Sequence, residues 1–303
     1  MTALCARAPA KVNLCLLVGP VRAHDGRHEL VSVMDTVSLH DELVLRDADG
    51  SEDEVVSPGV EGPNLVTAAL GAFRAATGWD GAPVRVEITK RIPVAGGMGG
   101  GSADAAAALR LLAAHAGLED LALLERIAAG LGADVPSQVR GGRVLATGAG
   151  ERLEPAAAGA PYGLLVLPVE AALSTALVYV EADRAAGLRT AAELEAARQR
   201  LRARDVLDGL VHNDLERPAR TLCPAIDVAL GEAAAAGADD VLVSGSGPTV
   251  LGLFTGAAGA ERARSAAAEL SGRTPAAIAA EPVGAGWGHA TVVSLRHTAT
   301  GTA

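Results

Sequence analysis

Several stretches of the chain alternate between apolar and polar residues with a period of two, the pattern of half-buried β-strands. Residues 10–18 place four apolar side chains on one face and Lys11 and Asn13, about 7 Å apart, on the other. Residues 84–90 alternate in the same way, and the apolar alternation over 30–45 predicts two more strands. This part of the chain is therefore predicted to be rich in strands.

Helical spacing of apolar residues, with capping residues at the ends, predicts helices between and after these strands. Ser102 is the predicted N-cap of the second helix, and Thr190 with Glu193 forms a capping box. The predicted helices cover residues 65–77, 102–117, 121–131, 190–204, 212–216, 223–236 and 258–270, and another begins near residue 173. Further strands are predicted at residues 163–167, 241–254 (two strands joined by SGSGPT), 276–281 and 289–295.

The length of the chain allows two domains. It has 303 residues, half of them apolar, which suffices for two hydrophobic cores. Residues 155–161 are rich in Ala, Gly and Pro and predict the boundary between them. The predicted domains are therefore residues 1–157 and 158–303.

Charge and cysteine content argue against several classes of function. The net charge is −10, and no Lys/Arg cluster is large enough to follow a nucleic-acid backbone, so nucleic acid is not an expected partner. Cys5, Cys15 and Cys223 lack CxxC spacing and predict reduced thiols, with no disulfide framework or zinc site. Charged residues and prolines interrupt the apolar runs, so neither a signal peptide nor a membrane span is expected, and the protein is predicted to be cytoplasmic.

The chemistry of the chain is expected at residues 93–108, PVAGGMGGGSADAAAA. Five glycines lie between Gly96 and Gly101, and glycine lets a backbone adopt positive φ and approach a ligand closely. A predicted strand precedes them and a predicted helix follows, so free N–H groups and the positive end of the helix dipole converge on this loop. The loop matches neither the P-loop nor GxGxxG well, and a flexible linker is the alternative. The regular elements on both sides favour phosphate binding.

Other polar residues allow both a structural and a functional interpretation. Lys11 and Asn13 fit the solvent face of an edge strand, and Asp134 fits an N-cap ahead of a proline. His28 is most simply a loop histidine. SGSGPT, residues 244–249, is either a plain hairpin turn or a second small nest of N–H donors.

Three motifs taken together resemble those of the GHMP kinases, a family named for galactose, homoserine, mevalonate and phosphomevalonate. They are APAKVNL at residues 8–14, IPVAGGMGGGSADAA at 92–106 and VSGSGPTV at 243–250, in the family's order and spacing. DGRHEL at 25–30 and LGADVP at 131–136 resemble the members that phosphorylate a cytidine-diphosphate-linked methylerythritol. The resemblance covers nearly the whole chain, and five motifs in register are far more specific than any one.

The resemblance implies an α+β fold of two domains, with the active site in the cleft between them. It also implies a left-handed βαβ crossover in the first domain, against the usual right-handed rule. The implied reaction transfers the γ-phosphoryl group of ATP to the 2-hydroxyl of the methylerythritol unit, in isoprenoid precursor biosynthesis. ATP and Mg²⁺ would be required, and the protein would be a monomer or homodimer that binds a small molecule, not a membrane.

Two alternatives remain open at this point. The first is another GHMP kinase, for a sugar, homoserine or a mevalonate-type alcohol; the DGRHEL loop and Tyr179 suit a nucleobase better than a bare polyol. The second is a non-catalytic nucleotide-binding module, which would need neither Lys11 nor Asp134.

The resemblance also assigns roles to residues. Asp134 would be the general base, and Lys11 would keep it ionised and stabilise charge at the accepting oxygen. Ser102 would contact Mg²⁺. The nucleotide would be bound by Asn64, Lys90, Pro93, Val94, Ala95, Gly96, Gly97, Met98, Gly99, Gly100, Gly101, Ser102 and Ala103. The substrate would be bound by Asn13, Arg27, His28, Thr175, Tyr179, Ser244, Gly245 and Ser246.

Several positions depart from the family pattern. Arg27 stands where most relatives have an aromatic residue, so a guanidinium plane would form one wall of the cytosine pocket, with Tyr179 stacking on the base. Met98 replaces the usual Leu, and Ala103 replaces a Ser, which removes one possible hydrogen bond to phosphate. Asp104 would repel phosphate unless a cation neutralises it, and it has no assigned role.

Overall fold

The fold mixes helices with two separate β-sheets. The computed structural model describes residues 2–60, 62–157, 159–185 and 187–294. The predicted α+β class is confirmed, because both kinds of element alternate along the chain and pack against each other.

Twelve strands lie within the described residues. They are β1 (Thr2–Val21), β2 (His28–Asp47), β3 (Glu54–Val56), β4 (Val84–Thr89), β5 (Val144–Gly148), β6 (Arg152–Pro155), β7 (Tyr162–Leu167), β8 (His212–Asn213), β9 (Asp240–Val243), β10 (Val250–Thr255), β11 (Ile278–Ala280) and β12 (Thr291–Ser294). The first sheet has the order β12–β1–β2–β4–β3, with β8 paired to β1, β5 to β2 and β6 to β5. The second sheet has the order β11–β7–β10–β9.

Nine α-helices lie within the same residues. They are α1 (Leu65–Thr77), α2 (Gly100–Ala116), α3 (Leu121–Ala129), α4 (Val135–Arg140), α5 (Thr175–Arg184), α6 (Ala191–Ala203), α7 (Glu216–Leu222), α8 (Ala225–Ala235) and α9 (Gly259–Glu269). A short 3₁₀ turn at Ala285–Gly288 precedes the last strand.

The long strands β1 and β2 form the centre of the first sheet. Each has 20 residues, and they pair antiparallel. Their register shifts between Pro9 and Lys11 and again between Asn13 and Cys15. Such irregularities release backbone groups from the ladder, and the N–H of Lys11 donates to the carbonyl of Met98 at 3.0 Å. The first strand is thereby tied to the glycine loop.

The Ala-rich helix α2 is the main helix behind that sheet. It packs against β1 and α1, and its run of alanines at 105–108 is completely buried. Alanine combines the highest helix propensity with the smallest side chain, so the helix can lie close to the strands. Its N-terminus is therefore held at a fixed position beside β1.

The strands β3 and β4 pair in parallel, and α1 lies between them in the chain. This is the unit to which the predicted left-handed crossover applies, and its hand stays a prediction.

Several element predictions are confirmed by the structure. The helix over 65–77 has the predicted bounds, and Asn64 caps it through a hydrogen bond from the N–H of Val66 at 2.9 Å. The capping box of Thr190 and Glu193 is present. SGSGPT joins two antiparallel strands, β9 and β10.

Other element predictions are wrong. The second helix begins at Gly100 with Gly99 as its N-cap, so Ser102 lies in the first turn and is not the cap. Residues 30–45 form one strand, β2, because no turn residue interrupts the alternation. Residues 212–216 are not a helix: His212 and Asn213 pair with β1, and α7 begins at Glu216.

Short strands were the elements that periodicity missed, namely β3, β5, β6 and the first residues of β1. They are too short, or too apolar throughout, to give a clear alternation. The strand predicted at 289–295 is β12, and Leu295 lies outside the described residues.

Within the part of the chain that the structure describes, no helix combines the length and the hydrophobicity needed to cross a bilayer.

Candidate active site

An ion pair joins β1 to the start of α4. The Nζ of Lys11 lies 3.3 Å from Oδ2 of Asp134. Asp134 does occupy the N-cap position, yet no capping hydrogen bond from its side chain is found among the described residues. Its carboxylate is turned toward Lys11 and remains 31% exposed, whereas the side chain of Lys11 is only 8% exposed. The carboxylate is thus accessible to a ligand, and the ammonium is held beside it.

A buried hydrogen-bond chain orients Lys11. Its Nζ donates to Oδ1 of Asn13 at 2.7 Å, and Nδ2 of Asn13 donates to the hydroxyl of Ser32 at 2.8 Å. Ser32 in turn donates to the carbonyl of Cys15 at 2.7 Å. Asn13 lines the cavity as predicted, but its amide is already bonded on both sides. The geometry therefore favours a role in fixing Lys11 over direct contact with substrate.

The glycine loop passes directly beside this lysine. Gly99 has φ +69°, and a Cβ at this position would lie 2.9 Å from Cγ of Lys11. A helix leaves its first N–H groups without partners inside the helix, and in α2 they belong to Gly100, Gly101 and Ser102. These three residues line a cavity together with Lys11 and Asp134, so the loop brings the anion-binding end of a helix to the same cavity as that ion pair.

A second cation lies at the base of the loop. The Nζ of Lys90 donates to Asp104 at 2.7 Å and also to Asp41, a fully buried carboxylate. Asp41 further accepts the N–H groups of Arg91 and Ile92. The ion pair with Lys90 offsets the charge of Asp104, which is why an acidic residue is tolerated near the phosphate-binding end of α2. Burial, opposed by Lys90 and reinforced by Asp41, raises the pKa of Asp104 to about 7.

Lys11, Lys90, Asp104 and Asp134 all line one cavity of about 1070 Å³. A volume of this size suits a large small-molecule ligand. Its wall includes most of the predicted site residues: Lys11, Asn13, Arg27, His28, Asn64, Lys90, Pro93, Val94, Ala95, Gly96, Gly97, Gly99, Gly100, Gly101, Ser102, Asp134, Thr175, Tyr179, Gly245 and Ser246. The chain therefore brings together residues from β1, the glycine loop, α4, α5 and the β9–β10 turn.

Three predicted contact residues do not reach the cavity. The side chains of Met98, Ala103 and Ser244 are buried at 1%, 0% and 0% exposure. Met98 packs into the core of the first sheet, and Ala103 faces the buried side of α2. The hydroxyl of Ser244 donates to the carbonyl of Gly97 at 3.2 Å, so it joins the two loops and does not point at a ligand.

An aromatic pair occupies the other end of the cavity. The ring of His28 stacks on Tyr179, with centroids 5.1 Å apart and planes inclined by 24°. His28 is the first residue of β2 and is buried, not a free loop histidine. Burial, and then the charge of Asp134, raise the pKa of Tyr179 to about 12, so its phenol stays neutral. Arg27, which directly precedes His28 in the chain, is exposed and also lines the cavity.

The β9–β10 turn is fixed by residues from elsewhere in the chain. The hydroxyls of Thr175 and Ser246 lie 2.8 Å apart, which joins α5 to the turn. Nδ2 of Asn213 donates to the carbonyls of Val243 and Gly245 at 2.8 and 2.7 Å. These bonds fix the turn next to Lys11 and Asn13: a Cβ on Gly245 would lie 3.3 Å from Oδ1 of Asn13 and 3.6 Å from Nζ of Lys11.

Four residues important to this geometry carried no prediction: Ser32, Asp41, Asp183 and Asn213. Asp41 carried a signal, because it stands in phase with the buried leucines of β2 where an apolar residue is expected. The others act through long-range contacts, which local periodicity does not encode.

The described residues contain no group of three or more His, Cys, Asp or Glu side chains arranged to hold a metal ion. Mg²⁺ bound to a nucleotide takes most of its ligands from phosphate and water. A single hydroxyl such as that of Ser102, which lines the same cavity as Asp134, is compatible with that mode of binding.

Two family models match the chain. The GHMP kinases N terminal domain matches residues 64–142, and the GHMP kinases C terminal matches residues 191–273. The first match contains the glycine loop and Asp134, and the second contains the β9–β10 turn.

Named proteins are similar over most of the length. A 4-diphosphocytidyl-2-C-methyl-D-erythritol kinase from Salinispora tropica is 44% identical, over 88% of this chain and 87% of its own. The protein of the same name from Leifsonia xyli is 41% identical, over 82% and 87%. A crystal structure of 4-(cytidine 5'-diphospho)-2C-methyl-D-erythritol kinase superposes with a TM-score of 0.70 and 34% identity, covering 95% of this chain and 97% of that one.

Proposed function

This chain belongs to the GHMP kinases, and from that membership we propose that it phosphorylates 4-diphosphocytidyl-2-C-methyl-D-erythritol with ATP. It transfers the γ-phosphoryl group to the 2-hydroxyl of this alcohol and releases the 2-phosphate and ADP. The relatives that carry this activity in their names align with most of the chain, which favours this substrate over those of other GHMP kinases. The reaction belongs to isoprenoid precursor biosynthesis.

The ion pair of Lys11 and Asp134 is the observation that carries the proposal. Phosphoryl transfer needs a group that accepts the proton of the attacking hydroxyl and a cation beside the developing charge. Asp134 takes that proton on its carboxylate while the hydroxyl oxygen bonds to the γ-phosphorus and the bond to ADP breaks. Lys11 lies 3.3 Å away and stabilises the oxygen as it attacks. A non-catalytic binding module would have no use for this pair.

The nucleotide binds along the glycine loop. The free N–H groups of Gly100, Gly101 and Ser102 bind its phosphates at the positive end of the α2 dipole. Asn64 and Lys90 line the same part of the cavity, although the Oδ1 of Asn64 is used in capping α1 and Lys90 is paired with two carboxylates. The Ser102 hydroxyl would hold a Mg²⁺ ion bound with the nucleotide, and that ion would supply neutralisation of the phosphate charge.

The acceptor substrate binds at the aromatic end of the cavity. His28, Arg27 and Tyr179 surround its cytosine, and Thr175, Gly245 and Ser246 lie near its diphosphate. Met98, Ala103 and Ser244 contribute at most through backbone atoms, because their side chains are buried.

The proposal also covers the location of the protein, its oligomeric state and its division into domains. The catalytic unit is a cytoplasmic monomer or homodimer with no nucleic-acid partner. Its two domains divide at residues 157 and 158, with the cleft between them as the active site.

The decisive experiment measures ATP consumption by the purified protein with a panel of acceptors. Turnover is expected with the cytidyl substrate and not with mevalonate, homoserine or galactose. Asp134→Asn should lower turnover at least about a hundredfold with little change in ATP affinity, and Lys11→Met should be similarly damaging. Near-normal turnover in the Asp134→Asn variant would remove Asp134 as the base, and equal turnover with a bare polyol would contradict the substrate.

A further inference from the structure

The cavity contains a carboxylate to which neither the motifs nor the proposed reaction gives a role. Asp183 lies near the end of α5, one helical turn after Tyr179, and lines the cavity at the aromatic end. Its Oδ1 is 3.6 Å from Nε2 of His28, and its side chain is 47% exposed. At this distance the two groups are close but not hydrogen-bonded.

The tautomer of the neutral His28 ring can be assigned from its other nitrogen. Nδ1 lies 2.8 Å from the carbonyl oxygen of Gly19. A carbonyl can only accept, so Nδ1 carries a hydrogen, and in the neutral ring Nε2 is then an acceptor. With His28 neutral, two acceptors, its Nε2 and Oδ1 of Asp183, therefore lie 3.6 Å apart on the cavity wall that Tyr179 also lines.

A ligand group with two hydrogens to donate satisfies both acceptors at once. We propose that Asp183 is a specificity-determining residue, which together with His28 accepts the two hydrogens of the exocyclic amino group of the substrate's cytosine. The inference rests on the proposed function, which supplies a cytosine at this end of the cavity. The half-exposed carboxylate of Asp183 can swing outward to meet the second hydrogen, while His28 is held by the backbone.

The same pair of acceptors rejects uracil. Uracil has a carbonyl where cytosine has the amino group, and a carbonyl oxygen facing Asp183 and Nε2 would meet two acceptors and no donor. A site that leaves polar groups unpaired discriminates far more strongly than one that merely loses a contact. Asp183 thus contributes to the preference for cytosine over uracil through the repulsion between its carboxylate and the uracil carbonyl.

The test compares kcat/KM for the cytidine-linked substrate and its uridine-linked analogue at saturating ATP. Variants Asp183→Ala and Asp183→Asn are measured beside Glu181→Gln. Glu181 lies on the same helix, its substitution removes the same charge, and it pairs with Arg184 away from the cavity wall. Thermal unfolding of each variant establishes that it is folded.

The preference of the wild type for cytidine should fall about tenfold to a hundredfold in Asp183→Ala, mainly through a higher KM, and should stay unchanged in Glu181→Gln. An unchanged preference in Asp183→Ala, or an equal fall in Glu181→Gln, overturns the inference while the proposed function stands. No turnover of either substrate by the folded wild type overturns the proposed function and this inference together.

Discussion

Asp41 occupies a position in β2 where the alternation requires an apolar side chain. Leu39, Leu43 and Leu45 share its face and are buried, and Asp41 itself is 0% exposed. A buried carboxylate is stable only with strong partners, and here the partners are Lys90 and two backbone N–H groups. A charged residue at a position where the alternation requires an apolar one therefore indicates, from the sequence alone, that the residue has a specific role.

Asp104 gives a prediction at the same scale. Its folded pKa of about 7 lies above the value near 4 of an unfolded aspartate, so the folded chain holds this proton more tightly. The stability that this proton contributes is complete below about pH 4 and is lost as the pH rises to about 7. Asp104→Asn does not titrate, so its free energy of unfolding relative to the wild type should increase across this window and level off above it.

Urea unfolding at a series of pH values measures this difference. Asp49→Asn is the matched control, because it removes the same charge from a side chain that is 94% exposed. A difference between Asp104→Asn and the wild type that does not vary with pH would show that Asp104 is ionised throughout.

Motifs indicate which residues gather at the cavity, although the side chains of Met98, Ala103 and Ser244, which the same motifs contain, are buried away from it. The family motifs predict that Lys11 and Asp134 lie together, and the structure places them 3.3 Å apart. Asp183 and Asn213 follow no pattern, since their partners come from distant parts of the chain. Their contacts could not be read from local sequence.

At the scale of elements, local signals were sufficient where a helix carries its own caps. The bounds of α1 follow from Asn64 and Gly78 at its two ends. The start of α2 was misplaced because glycine is an unusual residue within a helix, and Gly100 and Gly101 are helical here. Tertiary packing against β1 overrides their low propensity.

Gly97 gives a prediction at the scale of the two loops. It has φ +75°, and a Cβ there would lie 2.2 Å from the carbonyl oxygen of Ser244. Gly97→Ala should therefore separate the glycine loop from the β9–β10 turn, lower the free energy of unfolding by about 1–3 kcal/mol, and reduce kcat/KM. Chemical denaturation and steady-state kinetics measure the two effects.

Gly71→Ala is its control. Gly71 lies in the middle of α1, and apart from its neighbours in the helix no atom of the described residues lies within 4 Å of the position of its Cβ. That substitution should raise stability by about 0.5–1 kcal/mol and leave activity unchanged. Equal stability and activity in Gly97→Ala and the wild type would mean that the two loops are not in the contact described.

At the scale of the whole molecule, a buried polar cluster connects the two sheets. Asp35 of β2 accepts the hydroxyl of Tyr162, from β7, at 3.1 Å and Nε of Arg143 at 2.9 Å. Arg143 also pairs with Asp205 at 3.0 Å. Burial raises the pKa of Asp35 despite Arg143, so each donor to this carboxylate matters.

Tyr162→Phe should remove one of those donors and cost about 1–3 kcal/mol of unfolding free energy. Tyr179→Phe serves as the comparison, because no hydrogen bond from its hydroxyl is found within the described ranges, and it should cost less. A Tyr162→Phe protein as stable as the wild type would contradict a role for this cluster in joining the sheets.

The overall arrangement was predictable only through the resemblance. Short strands from late in the chain, β8 and β12, return to pair with β1 of the first sheet. No periodicity encodes that return, because it depends on contacts between residues about two hundred or more positions apart. The division of the chain into two domains at residue 157 remains a proposal.

The register shifts on either side of Lys11 and Asn13 make this part of β1 sensitive to insertions and deletions. Deleting the residue between Pro9 and Lys11 would shift the register of β1 by one, and a slip of one residue turns every following side chain to the opposite face. The ammonium of Lys11 would then point away from Asp134, and the protein would lose its chemistry. Single-residue insertions and deletions here are therefore more harmful than most substitutions.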